Sequence, residues 1–195
     1  METLNLDLTK RYTYADYLTW FDNVRRELID GFISLMSPAP SNKHQKVSND
    51  LNGFIWNYLR GKKCQIRQAP FDVRLPKNKS ENHNQLIYNV VQPDICIICD
   101  PLKLDDKGCI GAPDMIVEIL SSSSSKHDIQ TKSQLYQDNG VKEYWIVFPY
   151  EKVVEVFLLD ENSKYISQGK FAEDELVKVN IFEDLHIDLA EIFED

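Results

Sequence analysis

The sequence predicts a mixed α/β (α+β) domain: a central mixed sheet flanked by helices, preceded by an N-terminal helix and hairpin. Three observations carry that prediction. The runs "DMIVEIL" and "KEYWIVFP" are nearly continuous in apolar residues, as strands covered on both faces are. The segment between them reads as a helix from about 126 to 139, stopped by Asn139-Gly140, which suits a crossover connection. A second, longer helix carries a one-sided apolar stripe. With 195 residues the chain is long enough for one domain, 1–195, with a real core.

The elements follow in order. Thr13, with Asp16 three residues on, reads as an N-cap and capping acid that open the short helix "YADYLTWF". In "ELIDGFISLM", Asp30-Gly31 between two apolar runs signals a two-residue hairpin. "SPAPS" is a loop, and its Ser41 caps the long helix "NKHQKVSNDLNGFIWNYLR", which Gly61 ends. Val47, Leu51, Phe54, Ile55, Tyr58 and Leu59 form its stripe. "FDVRLP" alternates with period two, placing Phe71, Val73 and Leu75 on one face. "LIYNVVQPDICIICD" holds one or two strands, and "PLKLDDKGCIGAP" reads as a loop. "VVEVFLLD", short strands and an acidic tail finish the chain.

Charge is unevenly distributed. Residues 1–80 carry 13 Lys and Arg against 8 Asp and Glu, whereas residues 151–195 carry 4 against 13. The overall charge of −9 argues against tight non-specific DNA binding by the whole surface. It leaves room for a local basic patch, for example Arg60, Lys62, Lys63, Arg67 and Arg74. No run approaches the ~18 apolar residues of a membrane span, and no signal peptide is evident, so a cytoplasmic protein is expected. Of the four cysteines, Cys96 and Cys99 lie three apart on one strand and point to opposite faces. That geometry argues against a shared metal or a mutual disulfide, and against a cysteine- or zinc-based enzyme. Cys96 and Cys99 are expected as buried free thiols.

Glu118 is the odd residue of "DMIVEIL". On a strand it shares a face with Ile116 and Leu120, so its carboxylate is at least partly buried and must be neutral, paired or metal-bound. Asp94 opens the neighbouring run "DICIIC". Two carboxylates from adjacent strands on one face suit a hard cation such as Mg²⁺. Asp114 shares that face, but four residues at ~3.3 Å each put it about 13 Å from Glu118, too far to share an ion. It reads instead as a turn or strand-start residue. Lys132 lies with Ile129 and Tyr136 on the helical face that packs on the sheet, within reach of the carboxylates; the alternative is an exposed pair with Asp128, worth a few tenths of a kcal/mol. His44 falls on the apolar stripe of the long helix, where a hydrogen-bonded core histidine is the alternative. Glu27, on the first hairpin strand, is otherwise a solvent-facing partner of Arg25 or Arg26.

"RRELIDGFISLMSPAPSNKHQ", "FDVRL", "VVQPDICII", "GAPDMIVEILS", "HDIQTKSQLYQDNGVKEYWIVFP" and "VVEVF" occur in this order. Together, over roughly residues 10 to 193, they resemble the Uma family, a bacterial group classed as endonucleases of unknown function in the PD-(D/E)XK, restriction-endonuclease-like superfamily. The resemblance implies a restriction-endonuclease-like fold with a site that binds Mg²⁺ (or Mn²⁺) for phosphodiester hydrolysis of DNA. By position, Asp94 and Glu118 match the metal-binding acids. The superfamily lysine would stand at Leu120, and in this family it comes from the following helix, as Lys132. Glu27 matches the glutamate of "ELIDG", and His44 the histidine of the "SP…H" segment. One departure is "LSS" where the family often has "LSP"; losing that proline is expected to loosen the turn before Lys132. Two readings follow: a Mg²⁺-dependent nuclease, or a catalytically inactive module of the same fold that binds nucleic acid or protein. The second admits a homodimer formed through apolar surface.

Overall fold

The computed structural model describes residues 4–36, 39–77, 83–121 and 124–194. The element order is α1 (Tyr14–Tyr17), β1 (Arg26–Ile29), β2 (Phe32–Leu35), α2 (Asn42–Leu59), β3 (Gln65–Gln68), β4 (Val73–Arg74), β5 (Val90–Val91), β6 (Ile95–Ile98), β7 (Leu104–Asp105), β8 (Gly108–Ile110), β9 (Met115–Ile119), α3 (Lys126–Asn139), β10 (Glu143–Phe148), β11 (Val153–Leu159), β12 (Tyr165–Ala172), β13 (Leu176–Lys178), β14 (His186–Asp188) and α4 (Leu189–Phe193).

The turn and cap residues act as the sequence suggests. Thr13 and Asp16 form a complete capping box on α1. Asp30 and Gly31 both have positive φ, +52° and +84°, as the favoured two-residue hairpin turn demands. A side chain at Gly31 would meet the Tyr12 carbonyl oxygen at 2.9 Å, so the turn also presses against the chain before it. Ser41 accepts from the His44 N–H and starts α2. Gly140, in the left-handed region, ends α3.

The strands form two six-stranded sheets and a small pair. The central sheet runs β12-β11-β10-β9-β6-β3, with β9 and β10 parallel and the other neighbours antiparallel. The second sheet runs β2-β1-β5-β4-β8-β7. The central sheet is covered on both faces, as its apolar strands require. Met115, Val117 and Ile119 pack with the α2 stripe of Val47, Leu51, Ile55 and Leu59 and with α4. Ile116, on the opposite face, packs with Tyr136 of α3, with Val73 of β4 and with Leu75 just after it. Truncating one of these fully buried side chains, Leu51 for example, would cost about 2–5 kcal/mol.

Three expectations are corrected. "PLKLDDKGCIGAP" is not all loop: it folds into the β7–β8 hairpin at the end of the second sheet. The alternation of "LD" and "GCI" is too short to stand out from the turn residues between them. Cys99 is not a free thiol but is bonded to Cys64 in a disulfide joining β3 to β6, while Cys96 and Cys109 are free and buried. The opposite facing of Cys96 and Cys99 holds: Cys96 packs on the α3 side and Cys99 on the α2 side. What single-strand geometry could not show was the cross-strand neighbour, since Gln65 pairs with Ile98 and so sets Cys64 beside Cys99. Arg74 does not belong to a basic patch: it is buried and paired with Asp105. No helix among the described residues is long and apolar enough to cross a membrane.

Candidate active site

Register brings the two acids together. Ile95 pairs with Val117 in the antiparallel β6–β9 ladder, so one step further Asp94 faces Glu118. The Ile119 N–H donates to Asp94 Oδ2 at 2.7 Å, tying the side chain of one strand to the backbone of the other. Both residues share the face of Ile116 and Cys96, as the alternation predicts.

Lys132 arrives from α3. Its Nζ donates to Glu118 Oε1 at 3.0 Å and to Glu27 Oε1 at 2.9 Å. The pair with Asp128 does not form; Asp128 instead accepts from Ser125, the N-cap of the helix. One turn beyond Lys132, the Tyr136 hydroxyl donates to the same Glu118 Oε1 at 2.5 Å. Glu27 is buried, not solvent-facing, and its Oε1 also accepts from the Gln92 N–H at 2.9 Å. Arg26 pairs with Asp22 instead. His44, buried on α2, sets Nε2 3.3 Å from Asp94 Oδ1. Its Nδ1 is buried with no hydrogen-bond partner among the described residues. A buried polar atom without a partner costs about 1–3 kcal/mol.

All five predicted side chains thus line one cleft of about 200 Å³, rimmed by Arg25, Ser34, Ser124 and Asp128. The serine turn does not displace the lysine: Ser121 and Ser124 bond to each other and α3 starts at its cap, although Ser122 and Ser123 lie outside the described residues. Asp114 stays out of the cleft, as distance predicts; its oxygens accept from the Cys99 N–H and from Lys142.

The electrostatics are unbalanced. Three carboxylates, Glu27, Asp94 and Glu118, face one lysine. Burial pushes the Glu118 carboxyl up to about 7; Lys132 opposes this, and the charges of Asp94 and Glu27 add to it. Burial works against the Lys132 ammonium too, but Glu118 and Glu27 outweigh it and hold it well above its ordinary value. The His44 imidazole is likewise penalised by burial, yet Asp94 raises it overall. The donors to Glu27 and to Glu118 all meet Oε1, and Oε2 of each has no hydrogen-bond partner among the described residues. Among the described residues no group of three or more His, Cys, Asp or Glu side chains is set to hold a metal ion. A Mg²⁺ ion needs only one or two carboxylates, the rest being water and phosphate oxygens, and the excess of negative charge fits a divalent cation at Asp94 and Glu118.

Two contributors were missed in the sequence. Tyr136 was read only as part of the packing stripe, although its i+4 spacing from Lys132 was the available signal. Gln92 was not singled out at all, because it holds Glu27 through its backbone, which no side-chain pattern reveals.

Known proteins share the fold and the family. A crystal structure from Anabaena variabilis, described as "a putative nuclease belonging to DUF820", matches with a TM-score of 0.72 at 20% identity, covering 93% of this chain and 97% of that one. The uncharacterized protein slr1290 of Synechocystis is 25% identical over 164 residues, 83% of this chain and 81% of its own length. The fold is therefore restriction-endonuclease-like, and the Uma2 family profile, described as "Putative restriction endonuclease", matches residues 14–190: the chain belongs to that family.

Proposed function

We propose that this protein is a Mg²⁺-dependent nuclease that hydrolyses phosphodiester bonds of DNA, with Mn²⁺ able to replace Mg²⁺. The observation that carries the reading is the convergence of Asp94, Glu118, Glu27 and Lys132, from three strand segments and a helix, in one cleft with surplus negative charge. Asp94 and Glu118 would hold the cation, which when bound polarises the phosphate and acidifies an attacking water. Lys132 holds its proton and directs positive charge toward the position where negative charge develops on the phosphate. Tyr136 fixes Glu118 Oε1 and leaves Oε2 without a hydrogen-bond donor among the described residues. His44 holds Asp94 from the other side. Glu27 fixes Lys132 between two carboxylates.

The test is cleavage of plasmid and linear DNA with Mg²⁺, Mn²⁺ and EDTA, for the native protein and for Asp94→Ala and Glu118→Ala. Divalent-dependent cutting that vanishes in both variants supports the reading; undiminished cutting in both overturns the site. The second reading, a binding module without catalysis, is favoured by the lack of a three-ligand metal group among the described residues. Calorimetry finding no Mg²⁺ or Mn²⁺ uptake, with DNA left intact, would select it.

A further inference from the structure

Arg25 precedes β1 and lies between the acidic cleft and a second one. Its side chain is exposed but held: Nε and Nη2 donate to Gln92 Oε1 at 3.1 and 2.9 Å. The amide orientation is fixed from behind, where Gln92 Nε2 donates to Asp72 Oδ1 at 2.9 Å and to the Tyr17 hydroxyl at 3.2 Å. An amide oxygen orients a guanidinium without neutralising it. Arg25 therefore keeps its full charge, with no ion pair among the described residues. Lys132, the other basic chain at the acidic cleft apart from His44, is already paired twice.

The second cleft, about 420 Å³, is walled by Tyr17, Trp20, Phe21 and Val24. Trp20 is braced by Tyr12 and Tyr17, with ring centroids 5.2 and 5.5 Å away. Phe21 is 76% exposed beside it. A rigid aromatic wall, an exposed ring and an oriented unneutralised guanidinium match the parts of a nucleotide: base face and phosphate.

We propose that the Trp20–Phe21 cleft is a nucleobase subsite and that Arg25 clamps the phosphate linking that base to the scissile position. The occupant is one unpaired nucleotide of a nucleic-acid strand, because a base stacked inside a duplex has no free face to offer. This rests on the nuclease reading of the neighbouring cleft. Charge complementarity supports it: a polyanion approaching three carboxylates needs a cation at the mouth, and Arg25 stands there.

The experiment is fluorescence anisotropy with a short labelled single-stranded DNA, its duplex, and a same-length strand of abasic units. Ca²⁺ replaces Mg²⁺ to leave the strand uncut, and salt is varied. Circular dichroism verifies that the surface variants Arg25→Gln and Phe21→Ser are folded. Arg25→Gln is expected to weaken binding and to reduce the slope of log K against log salt by about 0.7. Phe21→Ser is expected to weaken binding between about fivefold and a hundredfold at unchanged slope, and to have no effect on the abasic strand. Unchanged binding in both variants, a Phe21 effect that persists on the abasic strand, equal affinity for the duplex, or no binding by the native protein overturns the subsite. Binding with the expected effects but no cleavage in Mg²⁺ or Mn²⁺ leaves the subsite standing and removes the nuclease. Cleavage sensitive to Asp94→Ala with binding unmoved by Arg25→Gln and Phe21→Ser does the reverse.

Discussion

Strand β9 is flanked by Asp114 before its first residue and carries Glu118 one residue before its end, both buried on the same face. At Asp114 each oxygen has a donor, the Cys99 N–H at 2.8 Å and Lys142 at 2.7 Å. Burial works against its charge, but those two donors prevail and hold the carboxyl below its ordinary range. At Glu118 two donors crowd one oxygen, two further carboxylates stand near, and burial pushes the carboxyl up to about 7. The same residue chemistry on one strand thus serves as an anchor at one end and as an under-neutralised site at the other. What differs is the balance: at Asp114 the donors outweigh burial, and at Glu118 deeper burial and two neighbouring carboxylates outweigh the single lysine.

Four experiments would break or sharpen that contrast. The largest effect is expected for Asp94→Ala and Glu118→Ala, with divalent-dependent cleavage falling to background, whereas Asp114→Ala keeps the activity of its folded fraction; equal losses at both ends, measured per folded molecule, would erase the distinction. Next, Lys132→Met is expected to lower kcat by about 10²–10³-fold in the same cleavage assay. A variant with native turnover would show that the ammonium serves only to pair the carboxylates.

Stability gives the third test, and its sign differs between the two ends. Asp114, with a lowered pKa, stabilises the fold above its unfolded value, and that stability is lost as pH falls through the folded value. Glu118, with a raised pKa, penalises the fold above pH ~7, and the penalty is relieved as pH falls toward the unfolded value. Glu118→Gln is therefore expected to stabilise the metal-free protein at pH 8 by on the order of 2 kcal/mol, a gain that shrinks toward pH 5. Asp114→Asn is expected to destabilise it by about 1–3 kcal/mol at pH 8, a loss that shrinks in acid. Denaturant melts across that range read both, and parallel pH profiles would contradict the comparison. The smallest effect is expected for Tyr136→Phe, with about 10–100-fold weaker Mn²⁺ binding by calorimetry and the fold intact. Native affinity would reduce Tyr136 to a packing residue.

The sequence alone determined much of this. Near-continuous apolar runs located β9 and β10, a one-sided stripe located α2, and the segment between the two runs located α3, because burial on one or two faces is written in residue order. Asp30-Gly31, Ser41 and Gly140 marked turns and ends, because they act on the backbone beside them. Strand parity put Glu118 on an inward face with Asp94 on the neighbouring run, helical spacing turned Lys132 toward the sheet, and rise per residue excluded Asp114. Only the tertiary structure decided the rest. The Cys64–Cys99 bond, the burial of Arg74 against Asp105 and the β7–β8 hairpin depend on which strands become neighbours. So do the Gln92 N–H on Glu27 and the count of three carboxylates to one lysine. Strand pairing joins residues far apart in the chain, and the local pattern of each strand records which face is buried but not what lies beside it.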